Sequence, residues 1–156
     1  MAKSGIRTIT ATPTVDTNIY ASGDRCGSLM TLSDVVNSDG DGIILESICI
    51  ISKVVIASPA FYVLFFDDSP TIASADNAAI DISDAEMAAK CIGFVAVGTN
   101  KALASGCILE NVNVQRVLDC KAGSRTLYAL LVVEATPTFT TTTDLTVRFK
   151  FRELGA

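Results

Sequence analysis

Hydrophobic and polar positions alternate with a period of two along most of the chain, which predicts strands rather than helices. The pattern is cleanest near the end. Leu145, Val147, Phe149 and Phe151 fall on one face, and Thr146, Arg148, Lys150 and Arg152 on the other. Residues 43–57, 60–66 and 127–133 are apolar on both faces; in the second, Phe61, Val63 and Phe65 alternate with Tyr62, Leu64 and Phe66. A strand with two apolar faces has no solvent side. A second sheet must cover one face, and a loop, a helix or a neighbouring molecule the other. Residues 28–32, 91–97, 102–109 and 112–118 read as further strands. Residues 6–12 alternate weakly and are Thr-rich, like an edge strand or an extended arm.

Turn formers separate these runs. Pro13 cannot donate to a ladder. Ser22, Gly23 and Asp24 make a turn, residues 37–42 a loop, and Asp67, Asp68, Ser69 and Pro70 close the strand over 60–66. Ser83 and Glu86 have capping-box spacing, in which hydroxyl and carboxylate satisfy free amides at a helix start, so a short helix is predicted over 84–90. The Thr-biased stretch 136–143 reads as a loop or an edge strand. About eight strands and one helix make an all-β, single-domain β-sandwich, jelly-roll-like in form. Residues 1–19 are expected to be an N-terminal arm and 20–156 the sandwich domain. The arm has too few apolar residues to offset its own ordering entropy by burial. It is expected to dock instead, by adding a strand to a neighbour.

Composition narrows the function. At 156 residues the chain can bury a core in one domain. A hydrophobic content of 49% exceeds what a monomer of this size needs, so a homo-oligomer is expected. The net charge of -5 argues against a nucleic-acid partner, which calls for a basic face. The apolar run over 43–66 is interrupted by Glu46, Lys53 and Pro59 and is β-branched, so no membrane partner is expected. Residues 1–7 lack the apolar stretch of a secretory signal. The five cysteines, Cys26, Cys49, Cys91, Cys107 and Cys120, are odd in number and widely spaced. They are expected to be reduced and unligated, in a reducing compartment.

Candidate chemistry is sparse. The chain has no histidine, which excludes Ser-His and Cys-His nucleophile pairs and histidine-ligated metals. Lys53 lies in an apolar run and reads as a lysine snorkelling from a strand edge. Asn37, Asp39, Asp41 and Gly42 copy the first half of a calcium loop, but its twelfth position is Ile48 where glutamate is required. Asp67, Asp68, Asp76, Asp81 and Asp84 form a second acidic stretch, read as solvated or helix-capping. No enzymatic activity and no cofactor are expected. Arg148, Lys150 and Arg152 form a basic stripe on one strand face, a candidate contact for an acidic protein surface.

Four segments carry a likeness. They are Thr12 to Leu32, Phe61 to Pro70, Asp76 to Ser83, and the strand Cys91–Val97, in that order. Together they resemble small virion proteins of tailed phages, of the capsid decoration (cement) or head-fibre kind. The likeness covers about residues 12–97. It implies a jelly-roll-like sandwich, commonly trimeric, on the outer capsid surface where shell subunits meet. The partners it implies are the major capsid protein and further copies of the chain as a homotrimer. It implies no catalytic residues. The alternative is a receptor- or glycan-binding jelly-roll module of a fibre or tail.

Overall fold

A computed structural model describes residues 5–57 and 60–154. Along the chain run β1 (Ile6–Ala11), β2 (Arg25–Leu32), β3 (Gly42–Ser52), β4 (Phe61–Phe66), α1 (Asp84–Lys90), β5 (Cys91–Val97), β6 (Thr99–Ala102), β7 (Cys107–Asn111), β8 (Arg116–Asp119), β9 (Leu127–Val133) and β10 (Leu145–Glu153). They form two antiparallel sheets. One has the order β1-β10-β3-β7-β6, with β8 also on β3; the other is β2-β9-β4-β5. The pairing is nested: β1 with β10, β2 with β9, β3 with β7 and β8, β4 with β5. The chain is thus one long hairpin rolled over on itself, which is the jelly roll.

The inner faces make one core. Phe149 and Phe151 of β10 stack at 6.3 Å, and Phe149 meets Phe65 of β4 edge-on at 5.9 Å, joining the two sheets. Each such fully buried side chain contributes about 1.5–3 kcal/mol. Tyr20 and Phe139 close one end edge-to-face at 5.6 Å.

Two polar knots position the loops. Asp76 Oδ1 accepts from the Tyr20 hydroxyl at 2.8 Å, from Gly27 N–H at 2.6 Å and from Asn77 N–H at 2.9 Å. Gly27 has φ +82°, and a Cβ there would stand 3.0 Å from Pro13 Cβ and 3.1 Å from the Thr14 carbonyl, so glycine is required at this bulge. The second knot is Asp144, only 2% exposed, which accepts from the amides and hydroxyls of both Thr140 and Thr141.

Several sequence expectations change. Residues 102–109 are not one strand: β6 and β7 form a hairpin, closed by Leu103 N–H donating to the Gly106 carbonyl at 2.7 Å. Gly106 passes so near the Ser52 carbonyl that a Cβ would sit 2.3 Å from it. Residues 112–118 become a loop and the short β8, because Gln115 takes a left-handed φ of 50°. Only half of the capping box forms. Ser83 Oγ accepts from Glu86 N–H at 3.2 Å, but Glu86 accepts from Thr71 N–H and Lys90 Nζ, each at 2.8 Å. Ten strands result among the described residues, where about eight were expected.

The expected arm, 1–19, is also corrected in its described part. Residues 1–4 lie outside the described residues. β1 is the edge strand of its own six-stranded sheet, Ile9 and Ala11 pack on the core, and Val15 is 1% exposed. Its alternate residues find an apolar surface that was not visible from the segment alone.

Asp144 generates a pH prediction. Burial alone would raise its carboxyl, but the hydrogen bonds from Thr141 and Thr140 outweigh that and hold it at about 2, against an ordinary 3.8. This depressed value contributes about 2 kcal/mol of stability above the unfolded-state pKa. The contribution is lost as pH falls through about 2. Asp144→Asn should therefore lose about 2 kcal/mol in urea melts at pH 7. The gap to the parent protein should narrow steadily below about pH 4.

Candidate functional site

Two surfaces of opposite character lie on the outside of the sandwich. On the six-stranded sheet, Arg148, Lys150 and Arg152 are exposed and share a face, as the alternation requires. The register sets Thr10 beside Arg148, Thr8 beside Lys150 and Ile6 beside Arg152. On the other side stand Cys49 beside Arg148 and Ser47 beside Lys150. Arg152 Nε donates to Glu46 Oε1 at 2.6 Å. Arg148 and Lys150 have no ion-pair partner among the described residues. Burial pushes the Cys49 thiol up and Glu110 pushes it further, against the pull of Arg148.

The second surface is on the four-stranded sheet. Leu130 and Val132 of β9 and Phe66 of β4 are fully buried, yet stand outside the main core. Residues 67–90 run from the end of β4 to the β2 edge and back to β5, which makes them the segment placed to cover this outer side. They leave β4 with Asp67 N–H on the Lys90 carbonyl. At the far edge Asn77 N–H donates to the Arg25 carbonyl and Arg25 N–H to the Ala78 carbonyl. The cover is incomplete. Tyr62, Leu64, Phe94 and Glu134 line an open cleft of about 280 Å³. Phe94 is 61% exposed and meets Tyr62 edge-on at 6.1 Å. Burial raises the Tyr62 hydroxyl pKa, and the Glu134 carboxylate raises it further.

Sequence reasoning placed the stripe and missed Phe94 and Glu134. A signal was present: within 91–97, Ile92 and Phe94 are large apolar side chains out of phase with Val95 and Val97, on a strand beside a two-faced apolar one.

The other candidates disperse into structural roles. Asp39 and Asp34 are bridged by Arg125, at 3.4 and 3.1 Å, and Asn37 Oδ1 accepts from Arg7. Asp68 pairs with Lys121 at 2.5 Å. No group of three or more metal-ligating side chains comes together among the described residues. Lys53 is exposed, and its N–H donates to the Asp144 carbonyl at 3.0 Å. None of the five cysteines is in a disulfide; Cys26, Cys107 and Cys120 are buried, and Cys49 and Cys91 half-buried. The Cys120 thiol is pushed up to about 11 by burial and then by Asp119, Asp41 and Asp67.

Two outcomes are expected. Alkylation of the native protein without reductant should modify Cys49 and Cys91 first, and Cys26, Cys107 and Cys120 only after denaturation, read by peptide mass spectrometry. Phe94→Ala should cost under about 1 kcal/mol in urea melts, whereas Phe66→Ala should cost about 3–5 kcal/mol. A comparison with known families and with curated proteins finds no family model and no curated protein that matches the chain.

Proposed function

We propose that the chain is a non-catalytic structural protein of a tailed-phage virion, a capsid decoration (cement) protein. In this reading it sits on the outer shell as a homotrimer and strengthens the shell by contact with the major capsid protein. The observation that carries the reading is the half-covered outer face of the four-stranded sheet. Leu130, Val132 and Phe66 are fully buried there, whereas Tyr62, Leu64 and Phe94 stand open in an apolar cleft. An apolar cleft with a polar rim suits a contact between proteins. The jelly roll and the four segments that resemble small virion proteins support the same reading.

A second reading rests on the cleft's rings. Tyr62 and Phe94 beside the Glu134 carboxylate offer stacking surface and an acceptor, which suits a glycan- or receptor-binding module.

Quantitative mass spectrometry separates them. Particles of the phage that carries this gene should contain the chain in a fixed ratio to the major capsid protein. Particles assembled without it should lose their shells at lower temperature. Light scattering of the purified protein should give three times the chain mass, and Leu64→Asp with Phe94→Asp should reduce that to a monomer. Absence from purified particles would overturn the virion reading, and a monomeric parent protein the trimer. Saturable binding to a glycan array, lost in Phe94→Ala, would favour the second reading.

A further inference from the structure

Among the described residues five strand edges border the two sheets, and the chain blunts four of them. At β2, Arg25 bonds both to Ala78 and to Asn77, and Ser28 N–H donates to the Thr14 carbonyl. At β5, Gly93 bends the strand with φ +137°, Arg116 donates to the Ile92 carbonyl, and Asn111 Nδ2 donates to the Ala96 carbonyl. β6 and β8 are each four residues long. Open edges invite another strand, and proteins normally protect them with short length, bulges, proline, lysine or cover. β1 has none of these. Its six residues, Ile-Arg-Thr-Ile-Thr-Ala, pair with β10 in unbroken register and contain no proline and no lysine.

The ladder phase identifies which groups face outward. Glu153 N–H donates to the Gly5 carbonyl, so the hydrogen-bonded pairs with β10 continue through Arg7, Ile9 and Ala11. Lys53 N–H on the Asp144 carbonyl agrees, because it turns the even-numbered residues of β10 toward β3. The backbone N–H and C=O groups of Ile6, Thr8 and Thr10 therefore point away from the sheet. No hydrogen bond from elsewhere in the described chain reaches them.

The neighbouring charge selects the occupant. Thr8 and Thr10 are short, and behind them rise Lys150 and Arg148, both without an ion-pair partner among the described residues. A strand added to β1 would lie about 10 Å from β10, two strand spacings away. The long cationic side chains and a glutamate on the added strand span that gap over the threonines. Glu110 stands in the Arg148 row beyond Cys49, while the Lys150 row, Thr8–Lys150–Ser47, holds no carboxylate. A second copy pairing through its own β1 would offer no carboxylate there. It would place two cationic rows about 14 Å apart, and each copy carries a net charge of -5.

We propose that the free edge of β1 is a strand-addition site for an extended segment of a partner protein bearing carboxylates at alternate positions. Backbone bonds to Ile6, Thr8 and Thr10 hold the segment, and Lys150 and Arg148 select its charge. The inference goes beyond the virion reading and does not depend on it.

Residue-resolved hydrogen exchange tests it, with a capped nine-residue peptide of alternating glutamate and threonine and a counterpart with lysine for glutamate. The acidic peptide should slow exchange at Ile6, Thr8 and Thr10 by about tenfold or more and leave Arg7, Ile9 and Ala11 unchanged. The lysine peptide should protect none of them. Lys150→Glu with Arg148→Glu should weaken binding of the acidic peptide about tenfold. Thr8→Pro removes an N–H that β10 does not use, so the fold should persist and binding be lost. If Thr8→Pro unfolds, the charge-reversed variant decides alone. Unchanged exchange at Ile6, Thr8 and Thr10 would overturn the proposal, as would equal protection by the lysine peptide. Protection that rises with protein concentration and no peptide would assign the edge to a second copy and overturn it too.

Discussion

Closing this sandwich requires the first strand to find the last, because β1 joins its sheet only through β10. β10 is also the strand that completes the core. Phe149 and Phe151 arrive on it, and without it Phe65 on the opposite sheet has no aromatic partner. Pairing of such sequence separation makes folding slow and cooperative, since loop-closure entropy is lost before the contacts form. Asp144 prepares the closure from both of its ends. Its carboxylate organises the turn at Thr140 and Thr141, and its carbonyl accepts the Lys53 amide that starts the β10–β3 register. At the other end of β10, the Glu153 amide reaches the Gly5 carbonyl and its carboxylate the Arg7 guanidinium. The closing strand is thus pinned at both ends by residues far away in sequence.

The nesting also decides what the outer faces become. β4 and β5 are consecutive partners in the nest, so the connection between them is free to be long, and residues 67–90 use that length as a cover. Asp76 holds the cover down by binding the Tyr20 hydroxyl and the Gly27 amide, tying it to the strand farthest from where it began. Leu130 and Val132 on the same sheet are fully buried, whereas Phe94 stays open.

The strands with strong patterns were legible in the sequence. Residues 91–97, 127–133 and the helix over 84–90 have the bounds that periodicity and capping spacing predict. The inward phase of β10 was legible as well, because four large apolar residues at a spacing of two admit one orientation. Failures came where tertiary contact overrides local pattern. Gly106 is a hairpin residue because of the Ser52 carbonyl, which no local window contains. β1 looked too polar to pack because its apolar partners lie some 140 positions downstream. For the candidate surfaces, the phase that points Arg148 and Lys150 outward could be read from the chain. The cleft could not, since it depends on how far a loop from another part of the sequence extends across the sheet.

The two sheets consequently present opposite opportunities. On the four-stranded sheet the edges are closed and part of the face is open. Arg116 lies against Gly93 and donates to the Ile92 carbonyl, which blocks the edge of β5, while the next residue, Phe94, projects into solvent. On the six-stranded sheet the face is dressed with Thr8, Thr10, Lys150 and Arg148, and the open element is the backbone edge of β1. Contact with the first would draw on apolar area and ring geometry, which tolerate salt. Contact with the second would draw on directional backbone hydrogen bonds and on charge, which salt screens beyond about 8 Å at physiological ionic strength. Neither proposed contact would use the groups that hold the sandwich closed, so occupation of either surface would leave the pinning of β10 at Asp144 and Glu153 intact.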